Sequence, residues 1–197
     1  MKLKVQTRRV ILVTTLLVLA AAAGAITAML GADAGLSYTE PAANPSVSGR
    51  HLALTAPAQR QPPRDFAFTD VDGHSQRLSA VQGQVTLVNL WATWCPPCVA
   101  EMPDLDALQA LLGGTDFRVL AISLDRGGAA TVARWFPRAG IRNLAIHNAN
   151  PADFPDALLP TSILLDRQGR VAWTGAGIYA WTGQPTQALI KALIAEQ

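Results

Sequence analysis

VTLVNLWATWCPPCVAEMPDLDAL, residues Val85–Leu108, changes rhythm at its middle. Val85–Ala92 is an apolar run of the kind that fills a strand buried on both faces. Beyond Pro96, the residues Val99, Met102, Leu105, Leu108 and Leu112 recur at helical spacing, until Gly113-Gly114 ends the pattern. The stretch predicts a buried strand, a sharp turn and a helix, with Cys95 at the junction.

Cys95 and Cys98 are the only two cysteines of the chain. A zinc site needs four ligands, and His51, His74 and His147 lie in unrelated segments. A purely structural disulfide across so short a loop stabilises little. Sulfur exchange fits the position better. At a helix start, free N–H groups and the positive end of the helix dipole favour a thiolate on Cys95. Cys98, one turn further in, can then displace a substrate from the mixed disulfide. The pair reads as a dithiol–disulfide reaction centre that needs no cofactor and no metal.

The flanking sequence extends the fold. FAFTDVDGHSQRL (66–78) alternates around an Asp-Gly turn and predicts a hairpin. FRVLAISLD (117–125) predicts a second buried strand, AATVARWFPRAG (129–140) a short helix, and LAIH (144–147) a brief strand. TSILLDRQGRVAWTG (161–175) predicts a hairpin turning at Gln168-Gly169, and PTQALIKALIAE (185–196) a closing helix with Pro185 near its first turn. This order gives an α/β sandwich with a mixed sheet over residues 65–197.

The first 64 residues are of another kind. Lys2, Lys4, Arg8 and Arg9 precede an uncharged stretch, Val10–Ala32, which is long enough to cross a bilayer. It predicts a cytoplasmic amino terminus (1–9), a transmembrane signal anchor (10–32) and everything later outside. A cleaved signal peptide is the alternative, since AAAAGA after Leu19 offers small residues to a peptidase. Residues 33–64, rich in Ala, Pro, Ser and Gly, predict a flexible linker. Net charge is +2, and without the four leader cations the remainder is slightly acidic. No basic stripe interleaved with aromatics points to nucleic acid.

Taken together, VTLVNLWATWCPPCVAEMPDLDAL, LPTSILLD and GRVAWTGAG (169–177) resemble membrane-anchored, thioredoxin-like proteins of the TlpA, ResA and CcmG type, with the TlpA family nearest. The resemblance implies a thioredoxin-like fold with a mixed central sheet flanked by helices and an N-terminal β-hairpin, preceded by a transmembrane helix. It implies a catalytic domain in the periplasm, carried by a single-pass anchor in a bacterial inner membrane, that reduces disulfides. The substrate would be an exported protein, apocytochrome c or an oxidase copper-site subunit, and an inner-membrane electron carrier would re-reduce the pair.

The resemblance also implies roles for single residues. Pro160 matches a cis-proline facing the cysteines, and the backbone of Leu159 would bind an extended substrate segment. Trp94 either flanks that groove or merely covers the helix end, whereas Trp91 reads as core. Glu101 matches an active-site glutamate that handles protons, although a carboxylate in the first helical turns also serves the helix dipole alone. Asn89 replaces the buried aspartate of thioredoxin with an amide, which cannot carry a proton. Pro96 and Pro97 lack N–H groups, and a charge on Glu101 would oppose a nearby thiolate, so a reducing centre is expected. A copper-binding assembly factor on the same fold is the alternative, but it uses Cys-x-x-x-Cys with a distal histidine. A peroxidase would need Pro-x-x-x-Thr-x-x-Cys, which NLWATWC does not supply.

Overall fold

A computed structural model describes residues 55–196. The expected anchor and most of the expected linker lie outside these residues. Among the described residues, no helix is long and apolar enough to cross a membrane.

The strands are β1 (Ala67–Asp70), β2 (Ser75–Arg77), β3 (Val85–Trp91), β4 (Phe117–Ser123), β5 (His147–Asn148), β6 (Thr161–Leu165) and β7 (Val171–Ala176). The helices are α1 (Pro96–Leu112), α2 (Ala129–Ala139) and α3 (Gln184–Ala195). The strands form one sheet in the order β2-β1-β5-β4-β3-β6-β7. β3, β4 and β5 run parallel, while β1, β2, β6 and β7 pair antiparallel with their neighbours. The mixed thioredoxin-like sheet is as expected, and so are both hairpins.

β3 is buried at all seven positions, and its alternation divides the core. Leu87 and Trp91 join Met102, Leu105 and Leu108 of α1 and Ile190 and Leu193 of α3 in one cluster. Val88 and Leu90 point the other way, to Phe66, Phe68, Leu78 and Val81. Asn89 has the parity of Leu87 and Trp91, so its amide lies on the helix-bearing side among apolar groups. Trp91 is core, stacked on Phe136 with ring centroids 5.9 Å apart. The β6–β7 turn needs its glycine: Gly169 has φ +74°, and a Cβ there would meet the Val81 carbonyl oxygen at 2.9 Å.

The linker was expected to reach Arg64, but its last residues belong to the domain. Thr55 N–H donates to the Ala172 carbonyl, and Val171 N–H to that of Gln61, both at 2.8 Å. Arg60 is buried and bonds Asp166 at 3.4 Å and Glu196 at 2.5 and 2.9 Å. The physical reason is this paired cation, which no apolar period betrays. These contacts lie at the end of the sheet where Thr86 of β3 pairs with Leu165. Cys95 follows the other end of β3.

Candidate active site

Cys95 ends the turn out of β3 and caps α1, with Pro96 and Pro97 opening the helix. Those positions suit proline, whose missing N–H would have no intrahelical partner there. Cys95 and Cys98 form a disulfide with an S–S distance of 2.06 Å. The Cys98 N–H donates to Cys95 Sγ at 3.3 Å. Cys98 is wholly buried, and Cys95 keeps 4% exposure, so Cys95 is the more accessible residue of the two.

β4 pins the turn that carries Cys95. The buried carboxylate of Asp125 accepts the Thr93 N–H at 3.0 Å, the Thr93 hydroxyl at 2.6 Å and the Ser123 hydroxyl at 2.7 Å. Beside this turn opens a groove of about 1030 Å³, whose walls include Trp94, Leu124, Asp125, Arg126, Phe154 and Leu159. Trp94 is 65% exposed. The Leu159–Pro160 bond is cis. Because Thr161 pairs with Leu90, Pro160 falls beside the end of β3, next to the turn leading to the cysteines. Trp94 and Leu159 thus line one groove, and Pro160 directly follows Leu159.

Glu101 lies on α1. It is 1% exposed, too deep for a carboxylate serving the helix end alone. Asn89 Nδ2 donates to its Oε1 at 2.7 Å, and Trp181 Nε1 to its Oε2 at 3.2 Å. Burial, the dominant influence, pushes its pKa up from 4.5 to about 7 against these donors. Burial thus works against a standing negative charge beside the cysteines, keeping the group mostly neutral below about pH 7.

The segment supplying Trp181 is held by Asp104, one turn beyond Glu101 on α1. Asp104 accepts the N–H groups of Trp181 and Thr182 at 2.5 and 3.2 Å. The grouping of potential metal ligands found among the described residues, Asp70, Asp72 and His74, lies on the β1–β2 hairpin and includes neither cysteine.

With that geometry in hand, the similarity to known proteins is specific. The Redoxin family model matches residues 56–188. The chain belongs to the Redoxin family. Its start at residue 56 agrees with the docking of Thr55–Gln61 on β7. The thiol-disulfide oxidoreductase ResA of Geobacillus kaustophilus is 31% identical over 117 residues, covering 54% of this chain and 63% of that protein. ResA of Halalkalibacterium halodurans is 28% identical over 131 residues, 64% of this chain and 70% of that protein. The match thus spans about 63% of the length of the first of these relatives.

Among solved structures, a Chlorobium tepidum protein assigned as the thiol:disulfide interchange protein DsbE is 25% identical with a TM-score of 0.56, covering 69% of this chain and 97% of that one. A secreted thiol-disulfide isomerase from Corynebacterium glutamicum shares the fold, with a TM-score of 0.59 at 21% identity over 76% of this chain and 95% of that one.

Sequence reasoning gave no role to four partners of this site. Asp104, Asp125, Ser162 and Trp181 act through contacts between distant segments, which the local motifs that hold some of them do not show. Asn89 and Glu101 were each singled out, but for separate reasons. Their direct bond appears only when β3 and α1 pack.

Proposed function

We propose that this chain is a thiol–disulfide oxidoreductase acting through Cys95 and Cys98, and that it works as a reductant. The observation carrying this reading is a disulfide at a helix start, with Cys95 itself capping the helix, beside a groove that Trp94 and Leu159 line. In the reduced protein, the Cys95 thiolate attacks one sulfur of a substrate disulfide. That S–S bond breaks, one substrate thiolate leaves, and a mixed disulfide forms. Cys98 gives up its proton and attacks Cys95 Sγ, which releases the second substrate thiolate and closes the Cys95–Cys98 bond. The substrate has gained two electrons, and the chain is left in the oxidised form described above.

Glu101, one turn from Cys98, takes and returns a proton near neutral pH. Leu159 offers its backbone to an extended substrate segment, with Trp94 as the opposite wall. The substrate is an exported protein, either apocytochrome c or an oxidase copper-site subunit. An inner-membrane electron carrier restores the dithiol, and Val10–Ala32 anchors the chain within its reach. The ResA relatives support this reading by their activity, since they are thiol-disulfide oxidoreductases.

The test is trapping. Cys98→Ser should accumulate mixed disulfides between Cys95 and the natural substrate, visible on non-reducing gels and absent after reduction. If only Cys95→Ser traps partners, the attacking and resolving roles are reversed. If neither variant traps any, the exchange mechanism fails.

A further inference from the structure

Among the described residues, three groups reach the Glu101 carboxyl, and all of them donate: Asn89 Nδ2, Trp181 Nε1 and the backbone N–H of Tyr179. Such a set solvates a carboxylate. It offers nothing to the additional hydrogen of a carboxylic acid, which needs an acceptor. Burial nevertheless presses this group toward the acid. The surroundings as they stand serve only one of two accessible forms.

The acceptor that the acid needs is on Asn89. Its Nδ2 donates to Glu101 Oε1 at 2.7 Å and to Ser162 Oγ at 3.0 Å. Its Oδ1 is buried and receives no hydrogen bond from the described residues. Turning the planar amide over exchanges these ends and brings Oδ1 to Glu101. Ser162 accommodates either orientation, because a hydroxyl both accepts and donates. The opposite wall has no such freedom. Trp181 is fixed through Asp104, and an indole N–H can only donate.

We propose that Asn89 is a positioning residue whose amide turns over with the protonation of Glu101, donating to the carboxylate and accepting from the acid. Glu101 then keeps a partner on β3 in both forms and stays in place one turn from Cys98. The other groups facing it are few. α1 brings Asp104, whose negative charge favours the acid form, together with the cysteine pair. The 177–182 segment brings Tyr179 and Trp181, and β6 brings the uncharged Ser162. Asn89 is therefore the group able to change sign. Its purpose depends on the proposed exchange reaction, but its motion does not, because Glu101 titrates with the disulfide intact.

The measurement is NMR on the isotopically labelled, oxidised protein between pH 5 and 9. It follows the Glu101 Cδ shift and the contacts of the Asn89 Nδ2 hydrogens. Contacts between those hydrogens and the Ser162 side chain should fade as pH falls, with the same midpoint as Glu101. Contacts that persist through the Glu101 titration, or a Glu101 that does not titrate in this range, would overturn the proposal. Asn89→Ala gives a second reading. A turning amide serves both forms, so its loss should move the Glu101 midpoint by less than about half a pH unit. A fixed donor serves only the carboxylate, and its loss would raise the midpoint by roughly one unit or more, a tenfold change or greater. Disulfide-exchange rates on the same wild-type sample separate the two ideas. An inactive protein with a turning amide sinks the function and leaves Asn89's role standing.

Discussion

A carboxyl group 1% exposed gives up its proton reluctantly, and at Glu101 the balance falls at about pH 7. In the unfolded chain the same group ionises near 4.5. Between these values the folded protein holds the proton and the unfolded chain has lost it, so stability falls as pH rises. The stabilising contribution is complete below about 4.5 and gone above about 7. The gap corresponds to a loss of roughly 3 kcal/mol. Glu101→Gln removes this ionisation while keeping the volume and an oxygen acceptor. Urea unfolding of the oxidised variant should lack this decline between pH 4.5 and 8, whereas the wild type shows it. Parallel pH profiles for the two proteins would mean that Glu101 stays ionised throughout. At this scale the sequence was read unevenly. Glu101 stood out through the family resemblance, yet nothing local told whether that face of α1 met solvent or the Asn89 amide.

At the scale of elements, the reaction centre depends on how one turn is held. α1 begins where it does because Cys95 caps it and prolines open it, and these signals were plain in the sequence. The Thr93 turn is another matter. It is tied to β4 by Asp125, 32 residues later, through both its N–H and its hydroxyl. Asp125→Ala would strip these bonds and leave a half-buried N–H without its partner, a cost of about 1–3 kcal/mol. Oxidised Asp125→Ala should lose roughly that much in denaturant unfolding, and slow disulfide exchange severalfold while the fold persists. Unchanged stability and rate would mean the turn holds itself. The β6–β7 hairpin was legible from its Gln168-Gly169 turn. The buried Arg60 that joins it to the end of α3 was not, because a lone arginine in a proline-rich stretch looks solvated. Sequence patterns report what neighbouring residues do together. Ion pairs across the sheet leave no such pattern.

At the scale of the whole molecule, the two ends of the sheet have different tasks. The chain enters the domain beside Ala172, at the end carrying the β6–β7 turn, and Cys95 stands at the other. Under the proposed function, Val10–Ala32 anchors the chain in a membrane with the cysteine pair outside. A reporter fused after Gln197 should accordingly be active only outside the cytoplasm, with the full-length protein remaining in the membrane fraction. A shortened, soluble form released from intact spheroplasts would show instead that Val10–Ala32 is cleaved.

The direction of electron flow is the central claim, and it depends on how strongly the Cys95 thiolate is stabilised. A strong oxidant of this kind owes its potential to a stabilised reduced form. Here Pro96 and Pro97 carry no N–H, and among the described residues the Cys98 N–H is the donor found on Cys95 Sγ. The helix dipole adds about 2 kcal/mol at most. Equilibrating the protein with glutathione buffers at pH 7 and counting free thiols at Cys95 and Cys98 by mass spectrometry gives the potential directly. The account predicts a single two-electron transition nearer thioredoxin's roughly −270 mV than the roughly −120 mV of a strong oxidant. A midpoint more positive than about −180 mV, the level of an isomerase, would contradict it.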